Sequence, residues 1–133
     1  MQSAKDKAEK YGIENSVIFA GQRNDAAEIY QAMDVLLFPS CYEGKPLVPM
    51  EAQIAGMPVV VSDCITREII KDKRLVRFIP LKASPTEWGN AVIDSYRNAP
   101  PRSETVLNSL NAERPSNELP PEKLTDWYCG LKR

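Results

Sequence analysis

Two carboxylates and the seven residues between them carry the chemistry this sequence can do. Glu43 and Glu51 flank Gly44-Lys45-Pro46-Leu47-Val48-Pro49-Met50, downstream of the apolar run Val35-Leu36-Leu37-Phe38 and upstream of Val59-Val60-Val61. A carboxylate in a loop beyond a strand accepts hydrogen bonds from hydroxyl groups. The first N–H groups of a helix are free to meet an anion, and a second carboxylate on that helix can hold a ribose diol. The pattern therefore suits a polyhydroxylated, phosphate-bearing ligand. Gly44, without a Cβ, lets backbone approach such a ligand closely, although an ordinary turn glycine reads identically. The N–H groups of Lys45, Leu47 and Val48 are candidate donors. The Lys45 ammonium either meets phosphate or stays solvated, and Pro49 has no N–H but suits a first helical turn.

Each candidate has a competing structural reading. Glu43 could merely cap its turn, and Glu51 could be a surface residue favoured by the helix dipole. Arg23, in Gly21-Gln22-Arg23-Asn24-Asp25, either reaches a nucleotide or is a surface arginine. Asp63 and Thr66 either line a base or ribose pocket or cap the next short helix. Cys41 has no visible activating neighbour and reads as a buried structural thiol. Trp88, Trp127 and Tyr128 read as packing residues.

The elements that position these residues alternate between strand and helix. Residues 3–11 predict a short helix ended by Gly12, and Val17–Ala20 a buried strand. Asn24 or Asp25 can cap a helix over 26–33, followed by a strand over 35–38. A helix over 49–55 stops at Gly56-Met57-Pro58, and a strand covers 59–61. A short helix follows Thr66, a strand covers 76–79, and a helix capped by Ser84 runs over 85–98. Residues 103–112 and 122–132 predict further helices around a proline-containing linker over 114–121. The fold class is α/β, a partial Rossmann-like domain with a parallel sheet of about four strands and flanking helices. Ligand loops then fall at Cys41 to Leu47 and Ser62 to Thr66, beyond the strands' carboxyl ends.

Composition narrows the functions. The 133 residues carry a net charge of −1 and no histidine. Scattered basic residues give no nucleic-acid footprint, and no apolar run reaches the roughly 18 residues of a membrane span. The amino terminus lacks a signal-peptide core. Three cysteines, Cys41, Cys64 and Cys129, fit a reducing compartment better than a disulfide scaffold. Without histidine or a Cys-x-x-Cys pair, the sequence excludes a zinc site and a histidine-based triad.

Glu43 to Gln53, followed by Ala55-Gly56-Met57-Pro58-Val59-Val60, resembles the E-x7-E region of retaining glycosyltransferases of family 4, which have the two-domain GT-B fold. Val17 to Gly21, Ala32-Met33-Asp34-Val35 and Phe38-Pro39-Ser40 are similar to the text preceding that motif. Ser62-Asp63 with Thr66 and Glu68 resembles the next loop in members that build bacterial capsular, exopolysaccharide or lipopolysaccharide sugars. The resemblance spans roughly residues 5 to 98. It implies that Glu43 acts at the donor sugar, near the reacting carbon, and that Glu51 binds the ribose. Gly44, Lys45, Leu47, Val48, Arg23, Asp63 and Thr66 would complete the donor site. Lys45 departs from the apolar or aromatic residue usual at its position.

The implied donor is a UDP- or GDP-linked sugar, used without metal or cofactor. The implied acceptor is a lipid-linked bacterial surface glycan, and the implied location is cytoplasmic, peripheral at the inner face of the plasma membrane. A GT-B enzyme needs two domains of well over ~100 residues each. The expectation is therefore a truncated nucleotide-sugar-binding domain over 1–99 and a linker with C-terminal helices over 100–133. No Gly-Arg-x4-Lys segment is present to supply the family's basic clamp. The chain alone is expected to be inactive, marginally stable and prone to self-association, or to need a separate N-terminal acceptor domain. The alternatives are a non-catalytic nucleotide-sugar-binding or interaction subunit, and a fragment of a nucleotide-sugar epimerase of the same fold.

Overall fold

The computed structural model describes residues 2–44 and 46–104. Its centre is β2 (Val59–Ser62), hydrogen-bonded in parallel to β1 (Leu36–Phe38) on one side and to β3 (Val76–Ile79) on the other. Leu36 pairs with Val59, and Val59 with Val76, so the three strands run level. All of β2 is buried, as a strand covered on both faces requires.

Side-chain alternation divides the core between the faces. Val59 and Val61 pack with Ala52, Met57, Ile65 and Ile69, joined by Tyr30, Met33, Leu36, Phe38 and Phe78. This face is covered by α2 (Ala26–Ala32) and α3 (Val48–Ile54). The opposite face meets α4 (Pro85–Asn98), which packs on β2 and β3 and pairs Asp94 with Arg77 at 3.1 Å.

Helix ends follow local chemistry. Ser84 and Glu87 close a reciprocal capping box at α4, with Pro85 as its first residue. Gly56 ends α3 at φ 74°, a left-handed conformation that disfavours a side chain. Thr66 Oγ1 accepts the Glu68 N–H at 3.3 Å and starts a 3₁₀ turn over Arg67–Ile69. Asp25 stands at the cap position of α2 without capping it, because its carboxylate is drawn to Arg23. The carboxyl end of α2 is held by Arg102, whose guanidinium donates to the carbonyls of Tyr30, Gln31 (2.7 Å) and Met33.

The predicted strand over Val17–Ala20 does not form, so the sheet has three strands among the described residues rather than about four. Ile18 is 92% exposed. A parallel strand exists only through its ladder, and β1 and β3 offer this segment no partner. It lies instead near α1 (Gln2–Lys10), where Lys5 stands over the Phe19 ring at 5.7 Å. The helices predicted over 122–132 and most of 103–112, with the linker between them and Trp127 and Tyr128, lie outside the described residues. Among the described residues no helix is long and apolar enough to cross a membrane.

Candidate functional site

Every loop that carries a predicted site residue lies at or beside the carboxyl end of a strand or the amino end of a helix. The chain leaves β1 through Pro39 and Ser40 into an exposed turn that holds Glu43. Ser40 Oγ–H donates to Glu43 Oε1 at 3.0 Å and fixes the carboxylate against its own loop. Ser62, at the end of β2, donates its hydroxyl to the Ser40 carbonyl, so the central strand anchors the turn. Gly44 does not use the left-handed region, and a Cβ there would meet nothing within 4 Å. Neither turn geometry nor packing requires glycine at this position. Lys45 lies outside the described residues. Leu47 and Val48 stand exposed at the start of α3, where no side chain caps the helix.

Glu51 extends from the first turn of α3. The Tyr30 hydroxyl, one helix away, donates to Glu51 Oε2 at 3.1 Å. Partial burial, then the Glu51 carboxylate, push the Tyr30 phenol up, so it stays a neutral donor at ordinary pH. The two residues share a groove of about 630 Å³ between α2 and α3, lined also by Asn24, Glu28, Gln31 and Ile54. Glu43 does not line this groove. It stands separately on the β1 loop, held by Ser40.

The remaining predicted residues divide differently. Arg23 is committed to Asp25 through a two-pronged pair, with Nε to Oδ1 at 2.7 Å, and this guanidinium holds the Asp25 carboxyl below its usual range. Asp63 accepts the Leu81 N–H at 3.1 Å and the Cys64 thiol at 3.7 Å. Thr66 caps its 3₁₀ turn, as its structural reading expects. Cys41 is exposed, not buried, because it follows β1 into the open turn. Glu43 and Glu51 enter no ion pair among the described residues, whereas Asp25, Asp72 and Asp94 each do.

Three residues that the sequence reading left without a role support this site. Tyr30 is separated from Glu51 by twenty-one positions, and no local pattern connects them. Ser40, three before Glu43, has a spacing at which a hydroxyl–carboxylate contact is readable. Gln53 is buried on α3, where its amide donates to the carbonyls of Pro49 (2.8 Å) and Ile69 (2.9 Å). Its oxygen accepts the N–H groups of Lys71 (2.8 Å) and Asp72 (3.2 Å), stapling the Glu51 helix to the approach to β3.

The loop after β1 bears Glu43 and the helix that follows it bears Glu51, both toward the carboxyl ends of the strands of an α/β domain. Residues 1–98 match the model of the glycosyl transferases group 1 family, and the chain belongs to that family. It is 42% identical over 125 residues to the lipopolysaccharide glucosyltransferase WaaG of Escherichia coli (strain K12), a match covering 92% of this chain and 33% of that protein. It is 34% identical over 59 residues to the lipopolysaccharide core biosynthesis mannosyltransferase LpsB of Rhizobium meliloti (strain 1021), covering 44% and 17%. It is also 41% identical over 51 residues to an Escherichia coli UDP-Gal:alpha-D-GlcNAc-diphosphoundecaprenol alpha-1,3-galactosyltransferase, covering 38% and 13%. The chain spans a third or less of the length of these relatives.

Proposed function

We propose that this chain is the donor-binding part of a retaining glycosyltransferase that moves a sugar from a nucleotide-diphosphate sugar to a lipid-linked bacterial surface glycan. The observation that carries the reading is the pair of exposed glutamates. Each is oriented by a hydroxyl, Ser40 of its own loop for Glu43 and Tyr30 of the neighbouring helix for Glu51, and neither is spent on a cation among the described residues. In this reading Glu51 accepts the ribose hydroxyls and Glu43 the hydroxyls of the donor sugar. Gly44 leaves room for the ligand's approach, which agrees with the open space around it. The N–H groups of Leu47 and Val48 meet the diphosphate, with Lys45 beside them. Arg23, Asp63 and Thr66 form the outer wall, each held by its own local partner.

The nucleotide is UDP or GDP, bound without metal, and the full enzyme works at the cytoplasmic face of the membrane. A relative named for UDP-galactose and a diphosphoundecaprenol acceptor supports this class of donor and acceptor. The 133 residues contain no Gly-Arg-x4-Lys clamp for the departing diphosphate, so their own role is binding, and transfer needs groups from elsewhere. Calorimetric titration of the folded chain with UDP, GDP and their sugars tests the reading. Saturable binding is expected, and none by a folded chain would remove the assignment.

A further inference from the structure

Two thiols that the donor reading does not use stand at the same end of the sheet. Cys41 follows β1 and Cys64 follows β2, and both are exposed. The ladder sets Phe38 opposite Val61, and each cysteine lies three residues beyond its member of that pair. Within the ladder neighbouring strands lie about 4.8 Å apart, and the same register continued three residues past its last pair would bring the two cysteines into the roughly 4.4–6.8 Å Cα window that a disulfide spans. The two strand ends stay tied past the ladder, because Ser62 donates to the carbonyl of Ser40, the residue before Cys41. Cys41 is also near enough to act on Cys64 electrostatically.

We propose that Cys41 and Cys64 are a redox-active dithiol, a modification site that reacts with a small-molecule disulfide and closes to an intramolecular disulfide joining the Glu43 loop to the Asp63 turn. Partial desolvation, then the Asp63 carboxylate, push the Cys64 thiol up, so Cys41 opens the reaction. The Cys41 sulfur, its proton lost to water, attacks one sulfur of the small disulfide. That S–S bond breaks, and the departing thiolate takes up a proton. Cys64 then passes its proton to Asp63 and on to water, attacks the Cys41 sulfur, and expels the second small thiol. The two cysteines are oxidised, the small disulfide is reduced to two thiols, and the two protons end on those thiols.

Bond formation does not depend on the proposed function, whereas its effect on donor binding rests on that reading. The test uses the 133-residue chain with Cys129→Ser, so that only Cys41 and Cys64 remain. After incubation with oxidised glutathione, thiol titration should show both thiols lost. Non-reducing peptide mapping of the monomer should show one peptide linking Cys41 to Cys64, reversed by dithiothreitol. Separate glutathione adducts without the link, or links only between chains, would overturn the proposal. In a second arm, the oxidised form should bind nucleotide sugar about tenfold more weakly than the reduced form. Equal binding by both would overturn the effect on the loop. A reduced chain that binds nothing contradicts the donor site, and the peptide map still decides the disulfide.

Discussion

Glu51 and Tyr30 show how a single hydroxyl can prepare a carboxylate. The phenol donates from α2 to a side chain on α3, so the groove between those helices sets the direction of the Glu51 oxygens. Tyr30→Phe keeps the ring and removes the bond, and nucleotide affinity should fall about fivefold, the equivalent of ~1 kcal/mol, as read by calorimetry. Unchanged affinity would mean that Glu51 needs no such support. Gln53 acts on the same helix through structure rather than ligand. Gln53→Leu strands the N–H groups of Lys71 and Asp72. It should cost about 2–3 kcal/mol in urea denaturation, and a loss below about 0.5 kcal/mol would show that water replaces the amide.

At the scale of elements, legibility in the sequence depended on whether the deciding interaction was local. Ser84, Pro85 and Glu87 announce the start of α4 within four residues, and the helix begins there. Gly56 announces the end of α3 for the same reason. Val17–Ala20 has a strand's composition, but its fate depends on a distant ladder partner, which composition does not report. Asp25 looked like a cap until Arg23, two residues earlier, claimed it. The spacing of Glu43 and Glu51 stands in the sequence, whereas the Tyr30–Glu51 contact does not, because only packing brings α2 to α3. Ser84→Ala should cost about 1 kcal/mol of stability in thermal or urea unfolding, and an unchanged midpoint would mean that α4 is held by packing alone.

The approach to β3 adds a pH dependence. Hydrogen bonding from Arg74 holds the Asp72 carboxyl below its usual range. A carboxyl lowered on folding stabilises the chain above its unfolded pKa, and that contribution disappears as pH falls through the folded value. Stability should therefore decline below about pH 4, and Asp72→Asn should flatten part of that decline in denaturation curves taken across acidic pH. Identical slopes would show that this pair contributes nothing measurable.

At the scale of the whole molecule, a parallel sheet, three-stranded among the described residues, gathers the candidate-site loops at one end and its packing on both faces. The buried β2 supplies rigidity, and the loops after β1 and β2 supply polar groups. Family membership rests on residues 1–98, which include the whole sheet and both glutamates. The division of labour between those glutamates is the central claim. It is tested most directly by calorimetry of Glu43→Ala and Glu51→Ala against free nucleotide and nucleotide sugar, with folding checked by circular dichroism. Glu51→Ala should weaken both ligands by at least about tenfold, while Glu43→Ala should weaken only the nucleotide sugar. Wild-type affinity of both variants for both ligands would contradict the account.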